Sequence, residues 1–331
     1  MLPARLGAAL LFVIGLALLG AAGVATLRPA PEPYLLSRAP AEAAALKDFA
    51  AFGPKLSDIQ SVELRGAENE KPLASGLVAK GADGRLTPLA WRSRVTEPVL
   101  LPDIAPSDET KVLLALKDHA PKEAIVLAWW DFSRRIRVLG ERAAPLDDSE
   151  ARGALIPDAW SERRAEIEAR QGALWGAGVA PTEGERFQKF IDALLAEDEE
   201  TGARRLAEIA GGAPVFLALR LCDIWRAAAA RPEAIAIAYK DFVGAGDIHG
   251  ATKAVRDWIA EEKIEGGYAV EPLGGAYRIH YFPDKKGARR LISRLLPFST
   301  SNPLALGRFR LVYQYRDYWL YELTAPGAAT R

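Results

Sequence analysis

The chain has 331 residues, with 43 Lys and Arg against 43 Asp and Glu, a formal net charge of +0, and 50% hydrophobic residues. That balance gives no general attraction for polyanions and argues against nucleic acid as a partner. The single cysteine excludes an internal disulfide, and no Cys-x-x-Cys-His sequence is present to attach a haem covalently.

In chain order, residues 6–27 are apolar or small and carry no charge, enough at the helical rise to cross the hydrocarbon core of a bilayer. They predict an N-terminal membrane anchor within a first unit, residues 1–30. Gly23-Val24-Ala25 has the small residues of a signal-peptidase site, but the apolar stretch is longer than a usual signal core, which favours an uncleaved anchor. The expected topology is a single-pass inner-membrane protein with its main domain in the periplasm.

A second unit, residues 31–105, begins in the proline-rich Arg28-Pro29-Ala30-Pro31-Glu32-Pro33, an extended spacer rather than a continued helix. A short helix is expected over residues 41–52. Strand-like runs follow at 61–64, 76–79, 86–91 and 98–101, separated by Gly, Asp and Pro, and make a β-rich lead-in.

Helix and strand patterns then alternate, predicting an α/β domain over residues 106–331 with a mixed sheet and helices on its faces. Ser107-Asp108-Glu109 opens a helix through Lys117, with an N-cap and first-turn acids. A buried strand over 124–128 leads to a helix from Phe132 to Leu139. Phe187, Phe190, Ile191, Leu194 and Leu195 fall on one helical face, and a second helix, 201–209, stops at Gly211-Gly212. Strands are expected at 214–219 and 234–239, then a polar loop over 240–250 and a helix traced by Ala251, Val255, Trp258 and Ile259. Strands at 267–270 and 277–281 and a helix burying Ala288, Leu291, Ile292 and Leu295 follow. The chain closes in a hairpin, with Phe309, Leu311, Tyr313 and Tyr315 alternating before the turn Arg316-Asp317, and Trp319, Tyr321 and Leu323 after it. The strands at 124, 214 and 234 are expected to share one sheet.

Candidate chemistry gathers where strands end, as open α/β sheets place their ligand sites. Trp129-Trp130-Asp131 follows the first buried strand; adjacent residues on extended backbone point to opposite faces, so one indole can pack inside while the other meets a ligand or partner. Asp131 can cap the helix at Phe132, hold an arginine, or receive a ligand hydroxyl or amide. Tyr239, Lys240, Asp241 and His249 leave a second strand end, with His249 suited to proton transfer and an adjacent Asp able to orient it. If the two strands are neighbours, Trp129, Trp130, Asp131, Tyr239, Lys240, Asp241 and His249 form one binding rim. The basic residues from Arg134 to Arg170, interleaved with acids, read as a mixed helical surface or as a patch for an acidic protein. Cys222 lies in an apolar stretch suited to a buried thiol, and the three histidines are far apart in sequence. No catalytic residue, metal set or cofactor site is assigned, and a binding or accessory domain is favoured over an enzyme.

Two resemblances attach to these motifs. Strand, Trp-Trp-Asp-aromatic, helix and Arg, with a Tyr-rich terminal strand pair, resembles the extracytoplasmic domain of membrane oligosaccharyltransferases, where the motif helps recognise the acceptor peptide. The chain lacks the many spans that carry the transferase chemistry, so this resemblance implies a peptide- or glycan-binding module. A longer resemblance is to the hydroxylamine oxidation protein HaoB family. It is carried by residues 128–139, the helical 187–195, Ala238-Tyr239-Lys240-Asp241-Phe242 with Gly246-Asp247-Ile248-His249-Gly250, and 296–304. It implies an anchored, periplasm-facing accessory of hydroxylamine oxidation. Its expected partner is a multihaem hydroxylamine oxidoreductase or another periplasmic redox protein, and its expected work assembly, tethering or electron transfer.

Overall fold

A computed structural model describes residues 33–41, 47, 49, 57–67, 70–81, 84–146, 153–176, 181–243 and 248–325. The expected membrane span lies outside these residues, as does most of the helix expected over 41–52. No helix among the described residues is long and apolar enough to cross a membrane.

The lead-in is an antiparallel meander of β1 (Leu35–Pro40), β2 (Ser57–Arg65), β3 (Ala74–Lys80) and β4 (Leu86–Ser93), in that order. Its alternation buries both faces. Val62, Leu64, Val78 and Trp91 pack in one cluster with Trp130 and Trp175, while Ala79 and Leu89 join another with Val112, Leu113, Phe132 and Ile136. The run at 98–101 is not a strand but a loop, in which the Leu100 carbonyl accepts from Arg226 and the Leu101 N–H donates to the Ala154 carbonyl. Gly76 is needed in β3, since a side chain there would meet the Trp91 ring at 2.6 Å and collide with the Ala90 carbonyl.

The second sheet has the order β10 (Phe309–Tyr315), β11 (Tyr318–Leu323), β6 (Val215–Arg220), β5 (Ile125–Leu127). β5 and β6 are parallel, and the other pairs are antiparallel. Every residue of β6 is buried, as befits a strand covered on both faces. A bulge between Leu311 and Tyr313 switches the facing of β10, so Phe309 packs in one layer and Tyr313 in the other.

The third sheet has the order β7 (Ala238–Val243), β9 (Ala276–Tyr281), β8 (Tyr268–Leu273), all antiparallel. The class is therefore mixed α/β, but the expectation of one sheet is corrected: the runs at 124 and 214 pair, and the one at 234 does not join them. That strand also begins later than expected and takes in Lys240 to Val243, because Asp241 sits opposite Arg278 in register and the pair makes a polar strand tenable.

The helices are α1 (Pro106–His119), α2 (Trp130–Arg135), α3 (Arg164–Trp175), α4 (Pro181–Leu194), α5 (Glu199–Ala210), α6 (Asp223–Ala230), α7 (Ile248–Glu261), α8 (Lys285–Ala288) and α9 (Leu291–Leu295). α1 starts one residue before Ser107, with Pro106 in its first turn and no side-chain cap. α2 runs on into a π turn over Ile136–Gly140. α4 and α5 bury the expected apolar stripe, Phe190, Ile191 and Leu194, beneath β6, and Asp198 caps α5 by accepting from the Thr201 N–H.

Part of the basic stretch is internal rather than a surface. Arg134 donates to the carbonyls of Leu86 and Trp175, and Arg142 donates to those of Lys117 and Ala120 at the end of α1. Each guanidinium supplies donors to carbonyls that helix and strand ends leave unpaired. Arg163 and Arg164 do lie on the surface, paired with Glu166 and Glu168.

Candidate functional site

β5 delivers Trp129 in extended conformation as the residue before α2, so the two indoles diverge. Trp129 packs edge-on against Phe187 and Phe190, with ring centroids at 5.7 Å in both pairs; Trp130 lies 5.4 Å from Trp175 in a different cluster. Both are buried, and so is Asp131. The opposite-face expectation is met, but both faces are interior. The oligosaccharyltransferase-like motif therefore has no surface here on which to recognise an acceptor.

Asp131 is not a cap, because α2 already begins at Trp130. Its Oδ1 accepts from Arg226 Nη2 at 2.7 Å and its Oδ2 from Arg135 Nη2 at 3.0 Å. Arg135 is ion-paired with Glu109 of α1, which accepts from the Tyr318 hydroxyl of β11 at 2.6 Å. Arg226 also donates to Asp223 Oδ1 at 2.9 Å and to the Leu100 carbonyl at 2.6 Å. The motif is thus the hub of a buried network tying α1, α2, α6 and β11 together. Burial opposes ionisation of Asp131, but Arg226, Arg135 and Arg220 outweigh it and hold the carboxyl down to about 2. Burial wins at Asp223, pushing its carboxyl up to about 7 against the nearby Arg226.

Tyr239, Lys240 and Asp241 lie on β7, in another sheet. Asp241 accepts from Arg278 Nε at 2.7 Å and Nη2 at 2.8 Å, while the Arg278 guanidinium covers the Tyr239 ring at 4.3 Å. The Lys240 ammonium sits 4.5 Å from the centre of a Trp258 ring. His249 is in the first turn of α7, and its side chain lies outside the described structure. The seven residues accordingly do not form one rim: three are interior, and three belong to β7.

One of them, Asp241, borders a cleft of about 370 Å³ between the third sheet, the loop after β4 and the β6–α6 corner. A second cleft of about 460 Å³ adjoins it; Asp103, Arg220, Glu271 and Asp317 line both. Arg220 is the hinge of the pair. Its Nε donates to Asp317 at 2.8 Å, its Nη2 to the Asp103 carbonyl at 2.9 Å, and its guanidinium stacks 4.6 Å from the Tyr318 ring, while Nη1 is buried without a hydrogen-bond partner among the described residues.

His280, buried on β9, has both ring nitrogens committed. Trp225 Nε1–H donates to Nδ1 at 2.9 Å, which requires the neutral tautomer with its proton on Nε2, and Nε2 faces Glu271 at 2.8 Å. Burial would raise the Glu271 carboxyl, but the bond from His280 outweighs it and holds the carboxyl low. Cys222, half-buried on the same wall, has its thiol pushed well above the usual range by burial, so it stays protonated. With the imidazole occupied and the thiol protonated, the cleft offers a ligand chiefly charge and hydrogen bonds.

Sequence reasoning missed Asp103, Arg220, Glu271, Arg278, His280 and Asp317 as a group. A signal was present in Arg278 and His280, two polar residues at strand spacing on one face of a short strand.

A family model described as HaoA-associated protein HaoB matches residues 2–323, from before the uncharged N-terminal run to the last residue of β11. The chain belongs to the HaoB family. All of the cleft residues fall inside that match. No curated protein matches the chain.

Proposed function

We propose that the chain is a membrane-anchored, periplasm-facing accessory of hydroxylamine oxidation that associates with HaoA, the hydroxylamine oxidoreductase. The observation that carries this is the family match over residues 2–323, whose description is an association with HaoA. The uncharged run 6–27 and the proline spacer behind it support tethering, since together they would hold a folded domain just clear of a bilayer. Assembly or tethering fits the cleft better than electron relay does, because its polar walls offer recognition by charge. The test is gentle detergent extraction of the full chain carrying a C-terminal tag. Recovery of HaoA with it is expected at low salt, and recovery of the chain alone would refute the reading.

A further inference from the structure

The two joined clefts carry charges and a strand edge that the fold leaves partly unmatched. Six carboxylates line them, from Glu97, Asp103, Asp108, Asp241, Glu271 and Asp317, against the guanidiniums of Arg220, Arg278 and Arg316. Asp317, Asp241 and Asp108 are matched by those arginines and Glu271 is hydrogen-bonded to the neutral His280, whereas Glu97 and Asp103 make no ion pair among the described residues. Arg220 meanwhile keeps a buried Nη1 donor with no acceptor among the described residues, a cost that a ligand carbonyl would relieve.

The third feature is an open sheet edge. β8 is the outer strand of its sheet, and at its start Tyr268 pairs outward with Ser299, which donates its N–H to the Tyr268 carbonyl at 2.7 Å and accepts the Tyr268 N–H on its hydroxyl at 3.1 Å. Strand alternation turns the Val270 N–H and C=O and the Pro272 carbonyl, the proline having no N–H, to the same edge, and both residues line the second cleft, with the Val270 side chain exposed. Beyond Ser299 this edge has room for another extended chain.

We propose that the joined clefts receive an extended, lysine- or arginine-bearing polypeptide segment of a partner, laid along the β8 edge. A backbone carbonyl of the segment meets the Arg220 guanidinium, and its cations face Asp103 and Glu97. Assigning the segment to HaoA rests on the function proposed above. A small cation would satisfy the carboxylates but not Arg220 or the strand edge; an extended chain satisfies all three.

The test presents overlapping short peptides covering HaoA to the full-length chain in detergent. It compares the wild type with Glu97→Gln/Asp103→Asn and with the control Glu123→Gln/Glu208→Gln on exposed positions elsewhere. Gln and Asn keep the acceptors that hold the Asp158 and Ser93 N–H groups, so the fold is preserved while the charge goes. Binding of basic peptides, weakened about tenfold by the cleft pair and unchanged by the control, is expected. Binding confined to acidic or apolar peptides, equal binding by both variants, or no peptide bound would overturn the proposal. Intact HaoA recovered equally by both variants would overturn the cleft assignment alone, whereas failure of the wild type to recover HaoA would refute the association and leave the peptides to decide the cleft.

Discussion

Asp131 is fully buried with two guanidiniums on its two oxygens, so its worth to the fold lies in charge balance. Asp131→Asn leaves Arg226 and Arg135 short of a buried counter-charge and should cost about 3–5 kcal/mol, read from urea unfolding. Its carboxyl is held below the ordinary 3.8, so this contribution is complete above that pH and disappears as pH falls through about 2. Asp223 has the opposite sign. Its folded carboxyl is raised to about 7, so the native state retains a proton that the unfolded chain releases near 3.8, and stability from this group declines as pH rises from 4 through 7. Unfolding midpoints should therefore fall as pH rises from 4 to 7 and level off above it, and Asp223→Asn should flatten that decline; an unchanged slope in the variant would place its origin elsewhere. Half of this network was legible: Arg135 stands four residues after Asp131, a helical neighbour. Arg226 lies 95 residues away, and no local pattern announces such a partner.

At the scale of elements, α6 is fastened to β9 through one indole. Trp225→Phe keeps the ring contact with Tyr239 but removes the N–H that satisfies Nδ1 of buried His280, and should lower stability by about 1–3 kcal/mol in thermal unfolding. A variant as stable as the wild type would show that Nδ1 is satisfied in another way. Elements with strong local periodicity, such as α4, α5 and the β10–β11 hairpin, could be read from sequence because apolar spacing alone decides them. Sheet membership could not. The start of β7 depends on its register with β9, where Asp241 meets Arg278, so a polar stretch that resembles a loop is a strand only in the company of its neighbour. The cleft was hidden for the same reason, since its walls come from the loop after β4, the β6–α6 corner, the third sheet and the terminal hairpin turn.

For the whole molecule, the family match and the uncharged N-terminal run support the proposal of a domain tethered beside HaoA. Deleting residues 1–27 should release the remainder from membranes, judged by ultracentrifugation in high salt without HaoA, because the described residues hold no second span. A truncated chain that still pelleted would show another membrane attachment. The most direct measurement is light scattering behind size exclusion, with purified full chain in detergent mixed with purified HaoA at low ionic strength. One peak whose protein mass is the sum of the two, separating as salt is raised, is the predicted result. Two peaks at the masses of the separate proteins at every salt concentration would contradict the association.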